Sequence, residues 1–347
     1  MSEEELIRER GTIAAEHLTV TFEAKRGLFG HIPFNAVDDI SVLIERGSTV
    51  ALVGESGSGK TTLGKTLIGL IKPSSGHIYF HGKDVWRMTK DEFMDFRMKS
   101  QIIHQDPYSS LNPYKSVYDV LALPLRAHHL AGSKEEEREA VYKMLEEVGL
   151  IPAEFYAEKY PFELSGGQRQ RVSIARAMLL QPEFVVADEP ITMLDASLRL
   201  GILDTMMTLQ RKMDLSMLFI THDLGMAYYI AGKTGKIAVM YLGSVVEFGS
   251  AERVLKDPMH PYTKALLSAI PEPDPKKSRS KQLMKLTRMD PPDPSRAPPG
   301  CKFSDRCPFA FDRCRKERPK LSQVGDEQVA CFLYPNVEGT PVESAAK

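Results

Sequence analysis

The sequence lacks several things, and each absence removes a class of function. It has no excess charge of either sign: 45 Lys and Arg face 46 Asp and Glu, a formal net charge of −1. No global field therefore points to nucleic acid or to anionic lipid. No uninterrupted apolar run approaches the ~20 residues of a membrane span. The opening MSEEELIRER has no apolar secretory core, so the chain is expected to stay in the cytoplasm, with any membrane link made through a partner. Cysteine is scarce as well: there are four, Cys301, Cys307, Cys314 and Cys331, all in one late segment. Four thiols crowded together in a reducing compartment suggest a metal or a cluster before they suggest disulfides.

What is present starts at Thr49. Thr49 to Val53 is a β-branched, apolar run that reads as a buried strand. Gly54, Glu55, Ser56, Gly57, Ser58, Gly59, Lys60 and Thr61 follow, with Thr62 behind them, and fit G-x-x-x-x-G-K-S/T. Leu63, Leu67, Leu70 and Ile71 then recur at helical spacing. Strand, glycine loop and helix in that order predict a P-loop. Glycines let the backbone turn its N–H groups inward towards an anion. The helix N-terminus adds unpaired donors and partial positive charge. Lys60 can reach the β- and γ-phosphates of a nucleoside triphosphate, and the Thr61 hydroxyl can ligate Mg²⁺. A plain glycine turn between strand and helix needs no lysine followed by two threonines.

At 347 residues the chain can bury a sizeable core and hold more than one domain. Ala14 to Phe22 and Ala36 to Ile44 read as strands. Phe22 either stacks on a nucleotide base or is a core phenylalanine. His77 to Phe80 and Ser100 to His104 read as further strands, and Gln105 opens a polar loop. From about Ser116 to Leu180 the pattern is helical. Ser133 to Glu136 fits a capping box, and Gly149 ends the run behind it. Leu164-Ser165-Gly166-Gly167-Gln168 is a glycine turn entering another helix, a second candidate anion site.

Phe184 to Asp188 is an apolar strand ending in two carboxylates. Asp188 suits the magnesium shell, and Glu189 can orient or deprotonate an attacking water. Met217 to Thr221 is another buried strand. It ends at His222, placed for contact with a γ-phosphate. Lys236 to Met240 is a further strand. From Pro271 to Pro299, Pro, Lys, Arg and Asp crowd together, as in an extended linker.

In this order, Gly54 to Thr61, Gln105, Leu164 to Gln168, Asp188–Glu189 and His222 resemble an ATP-binding-cassette ATPase, over roughly Ala14 to Leu255. His104-Gln-Asp-Pro-Tyr-Ser-Ser-Leu-Asn-Pro113, Ala238-Val-Met-Tyr-Leu-Gly243, His260-Pro-Tyr-Thr-Lys-Ala-Leu-Leu267 and the late cysteines narrow this. Together they resemble the ATP-binding subunits of oligopeptide/dipeptide importers. The resemblance implies an α/β fold: a P-loop domain with a RecA-like core, an antiparallel β subdomain and an inserted helical subdomain at about 108–180. A small cysteine-rich C-terminal tail completes it. It divides the chain into a cassette at 12–265, a Pro-rich linker at 266–299 and a four-cysteine domain at 300–335.

The same resemblance implies roles. Ser165 to Gln168 would clamp the γ-phosphate of ATP held by a partner's P-loop, so that two cassettes close over two ATPs. Asp195 belongs to the loop expected to cross that interface. Gln105 would touch Mg²⁺ and the attacking water, and its loop would face a transmembrane permease. The partners would be a second ATPase subunit (related, or a copy of this chain), permease subunits and, indirectly, an extracytoplasmic binding protein. Nucleic acid is not among them. The place of work would be the cytoplasmic face of the cell membrane. The cofactors would be ATP, Mg²⁺ and a 4Fe–4S cluster on the four cysteines. From the residues alone zinc remains the alternative metal, weakened because no short C-x2-C pair occurs. Two residues depart from the family pattern: His104 replaces an aromatic or apolar residue, and Thr192-Met193 replaces small residues before Leu194-Asp195. A soluble cassette ATPase is the competing class, but one P-loop is present where translation factors carry two, and no coiled-coil insertion is visible. A P-loop GTPase is disfavoured because no N-K-x-D motif occurs.

Overall fold

The computed structural model describes residues 11–26, 30–270, 283–290 and 293–334. Residues 271–282 and 291–292 of the expected linker, and residue 335 of the expected tail, lie outside the described residues. Two sheets organise the rest. Strands β1 (Gly11–Arg26), β2 (Gly30–Glu45), β4 (Ser75–Phe80) and β5 (Lys83–Asp84) form an antiparallel sheet in the order β2-β1-β4-β5. The larger sheet contains β3 (Thr49–Val53), β6 (Ser100–Ile103), β7 (Phe184–Asp188), β8 (Ser216–Thr221) and β9 (Lys236–Tyr241), together with β10 (Ser244–Ser250), β11 (Ser322–Val324) and β12 (Glu327–Val329). Its order is β11-β12-β10-β9-β3-β8-β7-β6. From β9 to β6 neighbours are parallel; from β9 outward to β11 they are antiparallel.

The parallel strands read as continuous apolar runs because both faces are covered. Every residue of β3, β7 and β8 is buried. Period-two alternation then sends neighbouring residues into different cores. Ala51, Val53, Val185, Ala187, Met217 and Phe219 join a cluster with Val117, Leu121, Val141, Leu145 and Val172 of the helical segment. Val50, Leu52, Phe184, Val186, Leu218 and Ile220 join one with Leu18, Val37 and Ile44 of the antiparallel sheet and with Leu63 and Leu67 behind the glycine loop. One sheet thus fixes both the helical insertion and the β subdomain.

The insertion contains helices Val117–Ala127, Lys134–Glu147, Ala153–Ala157 and Gly166–Met178. Ser133 caps the second of these, its Oγ accepting from the Glu136 N–H at 3.1 Å. The expected reciprocal box does not close: the Glu136 carboxylate takes the Gly132 N–H instead, at 2.8 Å. Gly149, at φ +77°, ends the run as its spacing predicts. The first two strands are longer than expected and form a hairpin, so Phe22 lies within β1 and does not end it. Strand β10 was not predicted, nor was the joining of the tail to the main sheet through β12, whose Val329 pairs with Glu247.

Candidate functional site

Parallel pairing brings the carboxyl ends of the strands to one edge, which is where open α/β sheets bind ligands. The register is exact across the centre: Val53 lies opposite Thr221, and Asp188 opposite Ile220. The loops leaving β3, β7 and β8 therefore meet. Lys60 and Thr61 come from the first, Glu189 from the second and His222 from the third, while Asp188 closes β7.

Between β3 and the helix Lys60–Leu67 the backbone turns through Gly57 (φ +78°) and Gly59 (φ +100°). A Cβ on Gly59 would stand 1.9 Å from the Ala36 carbonyl oxygen, so only glycine fits there. The loop is braced from outside by the Gly243 N–H, which donates to the Ser58 carbonyl at 2.8 Å. Lys60 is buried, 5% exposed. Its ammonium donates to the carbonyls of Gly54 (2.7 Å) and Glu55 (3.0 Å). Burial pulls its pKa down, against the opposing charges of Glu189, Asp188 and Glu55.

The carboxylates are held just as closely. The Thr61 hydroxyl donates to Asp188 Oδ1 at 3.0 Å. Burial pushes the Asp188 carboxyl up, and the bond from Thr61 opposes that rise. Glu189 takes the left-handed conformation at φ +45°, with its N–H bonded to the Ile220 carbonyl. A non-glycine residue in that region is held there by its surroundings. Its Oε2 accepts from the Thr192 hydroxyl (3.0 Å) and lies 3.3 Å from His222 Nδ1. Its Oε1 lies 3.8 Å from Lys60 Nζ. Thr192 stood out in the sequence only as a departure from the family pattern, and the structure gives that departure a contact with the Glu189 carboxylate, three residues before it. Oxygen donors at Thr61 and Asp188, with desolvation raising the cost of the bare Asp188 charge, fit a hard divalent cation such as Mg²⁺.

Other predicted residues stand apart. Among the described residues, no hydrogen bond or ion pair ties Phe22, Gln105, Ser165, Gly166, Gly167, Gln168 or Asp195 into this cluster. Ser165 and Gln168 form a reciprocal capping box, the Ser165 N–H donating to Gln168 Oε1 at 2.9 Å. Ser165, Asp195 and Gln105 are exposed, and Asp195 stands before its helix without a side-chain cap. Phe22 is 40% exposed beside Phe34, so the core reading of it fails.

Sequence reasoning missed the C-terminal contacts with the glycine loop. The Glu55 N–H donates to the Tyr262 hydroxyl at 2.9 Å, and the Glu55 carboxylate is paired with Arg306. Tyr262 lies in a string read as a family marker and Arg306 lies between two of the late cysteines, yet they stand 207 and 251 residues from their partner. No local signal could have joined them.

Cys301, Cys307, Cys314 and Cys331 line one small cavity with Phe303 and Phe309. All four are free thiols. Burial pushes Cys301 and Cys307 up to about 11 and Cys331 up to about 12. The donor set suits thiolate-bound metal in kind. The cavity, at about 20 Å³, has room for little more than a water molecule. Among the described residues no group of three or more Cys, His, Asp or Glu is spaced to hold a metal ion. The four cysteines line one cavity, but the expected iron–sulfur site is not formed in this arrangement.

The family profile described as ABC transporter matches residues 37–192, and that described as oligopeptide/dipeptide transporter, C-terminal region, matches residues 246–314. The di/tripeptide transport ATP-binding protein DppF of Pseudomonas aeruginosa is 42% identical over 322 residues, covering 92% of this chain and 96% of that one. The dipeptide transport ATP-binding protein DppF of Escherichia coli is 41% identical over 341 residues, covering 97% and 99%. The oligopeptide transport ATP-binding protein OppF of Escherichia coli is 41% identical over 319 residues, covering 91% and 94%. Among solved structures, the dimeric cassette MJ0796 in a post-hydrolysis state bound to ADP and Pi superposes with a TM-score of 0.60. It is 27% identical and covers 69% of this chain and 98% of that one.

Proposed function

Because this chain belongs to the ABC-transporter ATP-binding proteins, in their oligopeptide/dipeptide branch, we propose that its ATP hydrolysis takes place in sites shared between two cassettes and drives peptide import through membrane permeases. The protein is an ATPase, the energy-coupling subunit of such an importer. The observation that carries the reading is the meeting of Lys60, Thr61, Asp188, Glu189 and His222 at one sheet edge.

The chemistry is in-line attack of water on the γ-phosphate, to which a protein contributes mainly positioning and electrostatics. Glu189 polarises the water. Thr192 and His222 hold the Glu189 carboxylate from one side, with Lys60 at the other. Lys60 and His222 contact the γ-phosphate, and the N–H groups of Gly57 and of Gly59 to Thr62 cradle the phosphates, while that of Glu55 is held by Tyr262. Thr61 and Asp188 would hold Mg²⁺, with Gln105 as a further ligand from its loop, and the ion would supply charge that neutralises the triphosphate. Phe22, exposed ahead of the loop, stacks on the base. Ser165 to Gln168 and Asp195 act across the dimer, on ATP held by the other cassette. The exposure of Ser165 and Asp195, and the separation of these residues from this chain's own cluster, support that arrangement, as does the dimeric form of the ADP-bound MJ0796 cassette.

The partner cassette is a related second subunit, with a homodimer as the alternative. The dimer sits peripherally on permeases at the cytoplasmic face, supplied by an extracytoplasmic binding protein. Among the described residues no helix is long and apolar enough to cross a membrane. The relatives' names support peptides as cargo. We keep the division into a cassette at 12–265, a linker at 266–299 and a four-cysteine domain at 300–335. The finer reading of that last domain, a 4Fe–4S cluster on Cys301, Cys307, Cys314 and Cys331, is supported by their convergence alone and requires the cavity to open. Anaerobic purification with iron and sulfide analysis tests it: about four iron atoms per chain are expected, and iron-free protein overturns it. The transport reading is tested with the chain assembled on its permeases in vesicles. Peptide uptake and hydrolysis should both vanish in Lys60→Ala, and uptake that persists without hydrolysis refutes it.

A further inference from the structure

Arg306 sits in the loop between Cys301 and Cys307 and is 3% exposed. Its Nη1 and Nη2 donate to the two carboxylate oxygens of Glu55, at 2.6 and 3.0 Å. This bidentate fork is the geometry in which arginine binds carboxylate most firmly. The guanidinium is itself fixed, for Nη2 also donates to the Met289 carbonyl at 2.8 Å. The Cys301–Cys307 loop is turned tightly on itself, with the N–H groups of Ser304 and Arg306 bonded to the carbonyls of Cys301 and Phe303. Phe303 packs 5.2 Å from Tyr241 and 5.4 Å from Tyr262, ring centre to ring centre.

What this grip holds is specific. Glu55 follows Gly54, and the carbonyls of these two residues are the ones that seat the Lys60 ammonium. Fixing Glu55 through its carboxylate, and through its N–H on Tyr262, fixes both carbonyls. From the same tail loop, Lys302 donates to the Leu242 carbonyl at 2.6 Å. The next residue, Gly243, braces Ser58 on the other side of the glycine loop. There is also a matter of charge. A carboxylate in a loop that receives polyphosphate repels its ligand unless something cancels it, and Arg306 pairs with this one.

We propose that Arg306 is a positioning residue for nucleotide binding: by pairing with Glu55 it lets the cysteine-bearing tail hold the P-loop in shape and cancels a charge that would repel the triphosphate. The inference rests on the reading of the P-loop as the ATP site. Arg306→Met keeps much of the buried volume and leaves Glu55 unpaired. In the permease-assembled protein, the ATP dissociation constant should rise about tenfold, within the usual range of coupling between sites. The kcat at saturating ATP should stay within about twofold, since no group facing the reaction is changed. Adding Glu55→Gln to Arg306→Met removes the unpaired charge and should recover most of the lost affinity. A merely structural role predicts the opposite, with melting temperature and kcat falling together and no recovery from the second change. Native affinity in Arg306→Met, or no recovery in the pair, overturns the proposal. Should Arg306→Met not fold, hydrogen exchange on the unaltered protein decides. Residues 301–307 should exchange more slowly with a non-hydrolysable ATP analogue bound, because coupling is reciprocal; equal exchange refutes it. Lys60→Ala separates the two levels. If Lys60→Ala still binds ATP normally, the ATP-site reading itself fails. If it loses ATP while Arg306→Met keeps native affinity, only this inference falls.

Discussion

Replacing Glu189 by glutamine tests the site most directly, and its size can be worked out. The substitution keeps the shape of the side chain. The amide oxygen can still accept from Thr192, which now donates at 3.0 Å. What is lost is one negative charge, 3.8 Å from Lys60 Nζ. At an effective dielectric of 20 that attraction is about 4 kcal/mol. Lys60 keeps its two carbonyl bonds and becomes freer to meet phosphate, so ATP affinity should hold or tighten. Turnover should not survive, because removing a group that polarises the attacking water costs about 10²–10⁴-fold. That is about 3–5 kcal/mol on the barrier. Single-turnover hydrolysis and equilibrium nucleotide binding should be measured on the same preparation, with gel filtration for a trapped dimer. Near-normal turnover refutes the role given to Glu189. Lost ATP affinity refutes the charge argument instead.

Mixing Lys60→Ala with Ser165→Arg protomers should restore some hydrolysis, since one kind of site then joins an intact P-loop to an intact clamp; a mixture inactive at every ratio refutes shared sites. Gly59→Ala forces a Cβ to 1.9 Å from the Ala36 carbonyl at φ +100°. It should destabilise by about 1–3 kcal/mol in denaturant melts and abolish nucleotide binding, and unchanged binding would show that the loop relaxes freely. Glu327 is 2% exposed beside Glu247, and burial, with the charge of Glu247 adding, pushes it from 4.5 up to about 7. Between those values the folded chain holds a proton that the unfolded chain releases, so stability should fall as pH rises through that window. Glu327→Gln should flatten the fall in thermal melts, and an unchanged pH profile refutes this assignment.

The central strands were legible because burial on both faces leaves a plain mark: TVALV and FVVAD have little polar residue to mislead. The nucleotide cluster was legible for the same reason, since its members sit at strand ends that parallel pairing must bring together. Strand β10 was not. Its Glu247 looks like a loop residue, yet it is fully buried and accepts the N–H groups of Met259 and His260. Tail strands β11 and β12 are three residues each, too short to show a period. Thr192 drew attention as an oddity, but only the fold shows that a turn after Glu189 returns its hydroxyl to that carboxylate. The bond between Glu55 and Arg306 joins residues with no shared local pattern.

The pairing of β12 with β10 has a consequence for how the protein is made. On the side turned away from β9, Glu247 and Phe248 pair with Val329 and Gln328, and the Val246 carbonyl accepts from the Ala330 N–H. On the ribosome, at ~5–20 residues per second, β10 is finished on the order of ten seconds before those partners exist. During that interval it is an edge strand, a row of open backbone groups ready to pair with another nascent chain. A message truncated within the linker would leave that edge open for good. Such a product should aggregate, because β12 is what shields this edge of β10 from neighbouring chains.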